Sequence, residues 1–152
     1  MIEYKKPDHE AWSSYPETLL ILPGEPEIMI DLREPISGEA KKALKAIGLD
    51  SPFAVLTSFN PRGVNQPAEE NARLFGELES ELRGLGLEYS VIDACSPNKD
   101  HCECSVAMKI DRQAAIDMAF RWEQVAIFWW DLERFWIYGA ITPIEPISLP
   151  LP

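Results

Sequence analysis

Two stretches of the chain, "FAVLTS" (53–58) and "VAIFWWD" (125–131), are apolar on nearly every consecutive residue. Successive side chains of a strand point to opposite faces, so a strand with apolar residues on both faces needs cover on both sides. That requirement excludes an open sheet with one wet face. It places both segments at the centre of a layered domain.

The rest of the chain supplies the layers. "TLLIL" (18–22) and "EIMIDL" (27–32) read as a hairpin across Pro23 and Gly24, residue types suited to a type II turn. Ser37 is placed to cap a helix over about 38–47, whose inward stripe is Ala40, Ala43, Leu44 and Ile47, and Gly48 ends it. A longer helix over about 67–84 repeats leucine at 74, 78, 82 and 85, with Pro67 suited to its first turn. "LEYSVID" (87–93) and "ECSVAMKI" (103–110) read as strands, Asp111 caps a third helix over about 112–122, and "FWIYG" (135–139) is a last strand. The order β-β-α-β-α-β-β-α-β-β predicts an α+β (mixed α/β) domain: one sheet of about six to seven strands with three helices. Residues 1–16 read as an irregular arm, 17–140 as one domain, and 141–152 as a Pro-rich tail. Ile141, Ile144 and Ile147 in that tail recur with polyproline II period, as in a strap across the protein's own surface or a Pro-x-x-P ligand.

With 14 basic against 25 acidic residues, the formal charge of -11 disfavours nucleic-acid binding. No apolar run is long enough to span a membrane, and the start lacks a secretory core, so the expected location is cytoplasmic, with free thiols. The cysteines lie at C-x6-C-x-C beside His101 with no second ligand pair, which is a poor zinc pattern. If 101–110 is extended, Cys102, Cys104, Val106, Met108 and Ile110 share an apolar face, and His101, Glu103, Ser105, Ala107 and Lys109 share the other. The cysteines are then core residues, and no metal or cofactor is expected.

Three polar positions stand out. Asn71 lies on the inward face of its helix with Leu74, Phe75, Leu78 and Leu82, where an amide needs partners; it would either pin the Asn60-Pro61 loop or touch a ligand. Gln124 joins a helix end to a buried strand and needs partners of the same kind. Arg73 has Glu69, Glu70 and Glu77 within one turn, which accounts for it as a surface ion pair. If strands 53–58 and 87–93 are parallel, the loop "FNPRGVNQ" falls at the carboxyl end of a central strand beside a helix N-terminus, where open α/β sheets bind ligands.

"FAVLTSFNP", "ENAR" opening a leucine helix, "HCECS" and "WEQVAIF", in that order between about Glu17 and Tyr138, resemble the bacterial family known as domain of unknown function 3293. Carried over by position, the resemblance picks out Asn60 and Pro61, Asn71 and Arg73, Glu103 and Ser105, and Gln124. It marks none of the cysteines and implies no particular reaction.

The leading expectation is therefore a small polar ligand bound near the 59–66 loop by Asn60, Asn71, Arg73, Glu103, Ser105 and Gln124. The enzyme alternative makes Glu103 a general acid or base, assisted by His101 or Ser105. The interaction alternative is an acidic immunity-like or antitoxin-like protein that covers a basic partner, for which the aromatic-rich "IFWWDLERFWIY" would serve. Nothing in the sequence speaks to oligomeric state.

Overall fold

The computed structural model describes residues 14–152. Most of the arm expected over 1–16 lies outside the described residues; its end, Tyr15–Glu17, is a 3-10 turn. The described chain forms β1 (Leu19–Leu22), β2 (Ile28–Asp31), α1 (Gly38–Ala46), β3 (Phe53–Leu56), α2 (Ala68–Gly84), β4 (Ser90–Cys95), β5 (Cys102–Met108), α3 (Arg112–Arg121), β6 (Ala126–Trp130), β7 (Phe135–Gly139) and β8 (Ile147–Ser148). Among the described residues, no helix is long and apolar enough to cross a membrane.

Local signals set the helix ends. The Ser37 hydroxyl accepts the Ala40 N–H at 3.0 Å, and the Asp111 carboxylate accepts the Ala114 N–H at 3.2 Å. Gly48, at φ +85°, closes α1 while the Leu49 N–H returns to the Leu44 carbonyl. Pro67 stands one residue before the first turn of α2, as its N-cap.

The sheet has eight strands in the order β2-β1-β4-β5-β3-β6-β7-β8, and every neighbouring pair is antiparallel. The sequence expectation of six to seven strands is corrected by β8. The Pro-rich tail does not run as a polyproline helix there. Ile147 and Ser148 pair with Ile137 and Trp136, and the Leu149 N–H bonds the Phe135 carbonyl at 2.9 Å. Proline is tolerated on an edge strand, where one side of the backbone needs no partner, so two residues between Pro146 and Pro150 suffice.

Because β3 and β4 each run antiparallel to β5, they are parallel to one another, but β5 lies between them. The β3-α2-β4 unit therefore straddles a strand. One core sits between the sheet and α1, with Phe53, Val55, Phe128, Trp130 and Leu149 meeting Ala40 and Leu44. The other sits beneath α2 and α3, where Ala54, Leu56, Val106, Met108 and Ile127 meet Leu78, Leu82 and Met118. β3 is thus covered on both faces, as its composition requires.

The cysteines depart from expectation. Cys95 and Cys102 face each other across β4 and β5 with Cα atoms 4.1 Å apart, and they are joined by a disulfide. The next pair, Ser96 and His101, is hydrogen-bonded, which leaves Cys95 and Cys102 as a close, non-hydrogen-bonded pair. Cys102 is exposed rather than core, and only Cys104 is a free thiol. Strand register decides this, and C-x6-C spacing does not reveal register.

Candidate functional site

The chain leaving β3 turns sharply. The Thr57 hydroxyl donates to the Cys104 carbonyl at 2.6 Å and accepts the Phe59 N–H at 3.0 Å, tying the strand end to β5. Asn60 (φ +46°), Arg62 (φ +61°) and Gly63 (φ +73°) then adopt left-handed backbone around the 3-10 turn Pro61–Gly63. Glu123, at φ +56°, is left-handed as well, and its carbonyl accepts the Arg62 N–H at 2.7 Å. Two strained turns from distant parts of the chain thus clasp one another, with the Arg62 guanidinium 3.2 Å from the Glu123 carboxylate. Left-handed backbone at a non-glycine residue costs free energy and persists only where the surroundings hold it.

Asn71 does the holding. It is 6% exposed. Its Oδ1 accepts the Asn60 N–H at 2.8 Å, and its Nδ2 donates to the Asn60 Oδ1 at 2.9 Å. The Asn60 Oδ1 also accepts the Gln66 N–H at 2.9 Å. Towards β5, the Asn60 Nδ2 donates to the Glu103 Oε2 at 3.0 Å. Glu103 and Asn71 are therefore joined through one side chain, across segments that the sequence separates widely.

Glu103 is partly buried, and Asn60 is its sole hydrogen-bond partner among the described residues. Burial raises its pKa above the ordinary glutamate value of 4.5, against the lowering effect of the Asn60 hydrogen bond. Tyr15 packs its ring on Phe128, with centroids 5.9 Å apart, and its phenol is pushed up by burial and then by the Glu103 charge.

The other sequence candidates separate. Gln124 is buried and donates from Nε2 to the Phe59 and Trp122 carbonyls at 3.1 and 3.2 Å, so it braces the loop from β6. Ser105 is buried and donates to the Glu103 backbone carbonyl at 3.1 Å, not to its carboxylate. Arg73 lies on the exposed side of α2, paired with Glu70 and Glu77, and does not join the cluster. His101 is exposed at the base of the β4–β5 turn, where its backbone N–H donates to the Ser96 hydroxyl. Burial, then the Asp93 and Glu79 carboxylates, push the Cys104 thiol up to about 11, which disfavours the thiolate form. Among the described residues, no three His, Cys, Asp or Glu side chains are grouped to hold a metal ion.

Sequence reasoning missed Thr57, Tyr15 and Ser58. Ser58 is fully buried, and its hydroxyl has no hydrogen-bond partner among the described residues. A serine in the near-apolar run before Asn60 was a visible signal. Tyr15 gave none, because only the sheet order brings the start of β1 to this rim. Two hollows of about 590 and 320 Å³ lie elsewhere, on the α1 side, lined by residues such as Leu32, Ile36 and Leu149 or Leu44, Leu49 and Trp130. The sequence-expected pocket at the 59–66 loop corresponds to a polar cluster that lines neither.

No curated protein and no solved structure matches the chain. Residues 56–127 match the family described as Protein of unknown function (DUF3293), a span that begins at the last residue of β3 and includes Asn60, Asn71, Glu103 and Gln124. Over that segment, just under half of its length, the chain is similar to the DUF3293 family.

Proposed function

We propose that the protein binds a small polar ligand at the sheet rim beside the Asn60-Pro61 loop, with the Glu103 carboxylate as the principal contact. One observation carries this reading: a partly buried carboxyl with one neutral partner, held in place by an asparagine whose own left-handed backbone is locked by a buried amide. Each element costs stability, and a scaffold alone needs none of them: an apolar residue at 103 would pack without the desolvation cost. Asn71 and Gln124 position the loop rather than touch the ligand, while Asn60 and Glu103 face it.

A thermal-shift screen with amino acids, nucleosides, sugars and small amines tests the reading. A ligand present at a hundred times its Kd stabilises by about 2.7 kcal/mol. For a chain of this size that corresponds to a rise in Tm of roughly 5–10 °C. Glu103→Gln keeps the acceptor for Asn60 and abolishes the rise. The reading fails if nothing in the screen stabilises the protein, or if Glu103→Gln responds like the wild type.

The raised pKa of Glu103 favours a second reading, in which the carboxyl exchanges a proton with the bound molecule as a general acid or base. Consumption of the stabilising ligand, with a pH profile displaced in Glu103→Asp, distinguishes this from binding alone.

A further inference from the structure

Resting on the binding reading above, we infer that the group taken by Glu103 is a cation, an ammonium or guanidinium carried on a small molecule. Elsewhere in the fold, carboxylates near an arginine are paired. Asp31 is paired with Arg33, Glu70 and Glu77 with Arg73, Glu81 with Arg121, and Glu123 with Arg62. All of those pairs lie at the surface. Glu103 has no cationic partner among the described residues, and Arg62, the cation carried by the 59–66 loop, is committed to Glu123.

A carboxylate offers about four acceptor sites, and Asn60 fills one. Among the described residues no other side chain is hydrogen-bonded to Glu103, although the Tyr15 phenol lies near enough to feel its charge. The Ser105 hydroxyl is turned to the backbone, and the Thr57 hydroxyl donates to the Cys104 carbonyl. The Asn71 amide is taken up by Asn60 and the Gln66 carbonyl, and Asn60 gives Glu103 a single hydrogen bond. An anionic ligand would meet this carboxylate and a chain of formal charge -11. A neutral ligand would leave a desolvated charge uncompensated. A cation with several N–H donors satisfies both the charge and the open acceptor sites.

The test uses the full chain, labelled with 15N, and follows the Asn60 side-chain amide by NMR at low salt. The probes are propylammonium and guanidinium, their neutral counterparts propan-1-ol and urea, and the anion propionate. The cations are expected to shift the Asn60 resonance saturably, at midpoints at least tenfold below those of their neutral counterparts. In Glu103→Gln, shown folded by its sheet amides, the cations lose most of that tenfold preference over the neutral probes. That variant keeps the rest of the acidic surface, so diffuse attraction for cations persists in it and is separated from the contribution of the Glu103 carboxylate. Saturable binding led by the neutral probes or by propionate overturns the cation assignment and leaves the ligand site standing. No saturable shift with any probe overturns both.

Discussion

Replacing Asn71 with alanine isolates the clamp on which the site geometry depends. The substitution removes two hydrogen bonds to Asn60, of 2.8 and 2.9 Å, and leaves the Asn60 N–H without its acceptor. A buried donor left unpaired costs about 1–3 kcal/mol. Alanine returns roughly 0.5 kcal/mol of helix propensity. The contact to the Gln66 carbonyl, at 3.4 Å, is too long to add much. The net loss is about 2 kcal/mol, or a fall in Tm of roughly 4–8 °C. Urea unfolding should show a lower midpoint at unchanged slope, because the surface exposed on unfolding is nearly the same. Hydrogen exchange at the Asn60 amide should quicken as the stability falls. If Asn71→Ala unfolds within about 0.5 kcal/mol of the wild type, the amide is not what holds the left-handed turn, and the account of the site as a locked cluster is wrong.

Three further outcomes follow from the structure. Glu103→Gln should stabilise the protein at neutral pH. The folded-state pKa of Glu103 is raised, so the folded protein binds a proton more tightly than the unfolded chain; the cost of the ionised carboxyl is absent below the ordinary value of 4.5 and fully present above the raised one. Unfolding measured from pH 3 to 8 should therefore show the variant and the wild type converging at the acid end, and a gain of the same size at both ends would refute it. Gly139→Ala should cost about 3 kcal/mol by urea unfolding, since the added Cβ would lie 2.0 Å from the Thr142 backbone oxygen, which cannot move without displacing the tail. Denatured, unreduced protein should titrate a single thiol, Cys104, and three after reduction; reduction should lower stability by about 2 kcal/mol, the entropy of closing a short loop. Three thiols without reductant would contradict the Cys95–Cys102 pairing.

What could be read in advance was whatever depends on neighbours along the chain. Ser37 and Asp111 cap their helices because a hydroxyl or carboxylate there reaches an N–H three residues on. Gly48 ends α1 because it accepts φ +85°. The inward direction of Asn71 followed from its spacing to Leu78 and Leu82, and the double burial of β3 and β6 followed from their unbroken apolar runs. Arg73 was likewise accounted for by glutamates one turn away, although family resemblance placed it with the site residues.

Tertiary structure alone decided the rest. Sheet order put β5 between β3 and β4, and this brings Glu103 within 3.0 Å of Asn60 across a separation of 43 residues. Register set Cys95 opposite Cys102 and turned an expected core thiol into the exposed half of a disulfide whose other half, Cys95, is buried. An eighth strand formed from a tail whose prolines argue against one, because the edge of β7 supplied the partner. Turn and cap chemistry acts over a few residues and leaves a mark in the sequence. Strand pairing is a contest among many similar apolar edges, settled by the packing of the whole, so it leaves no such mark.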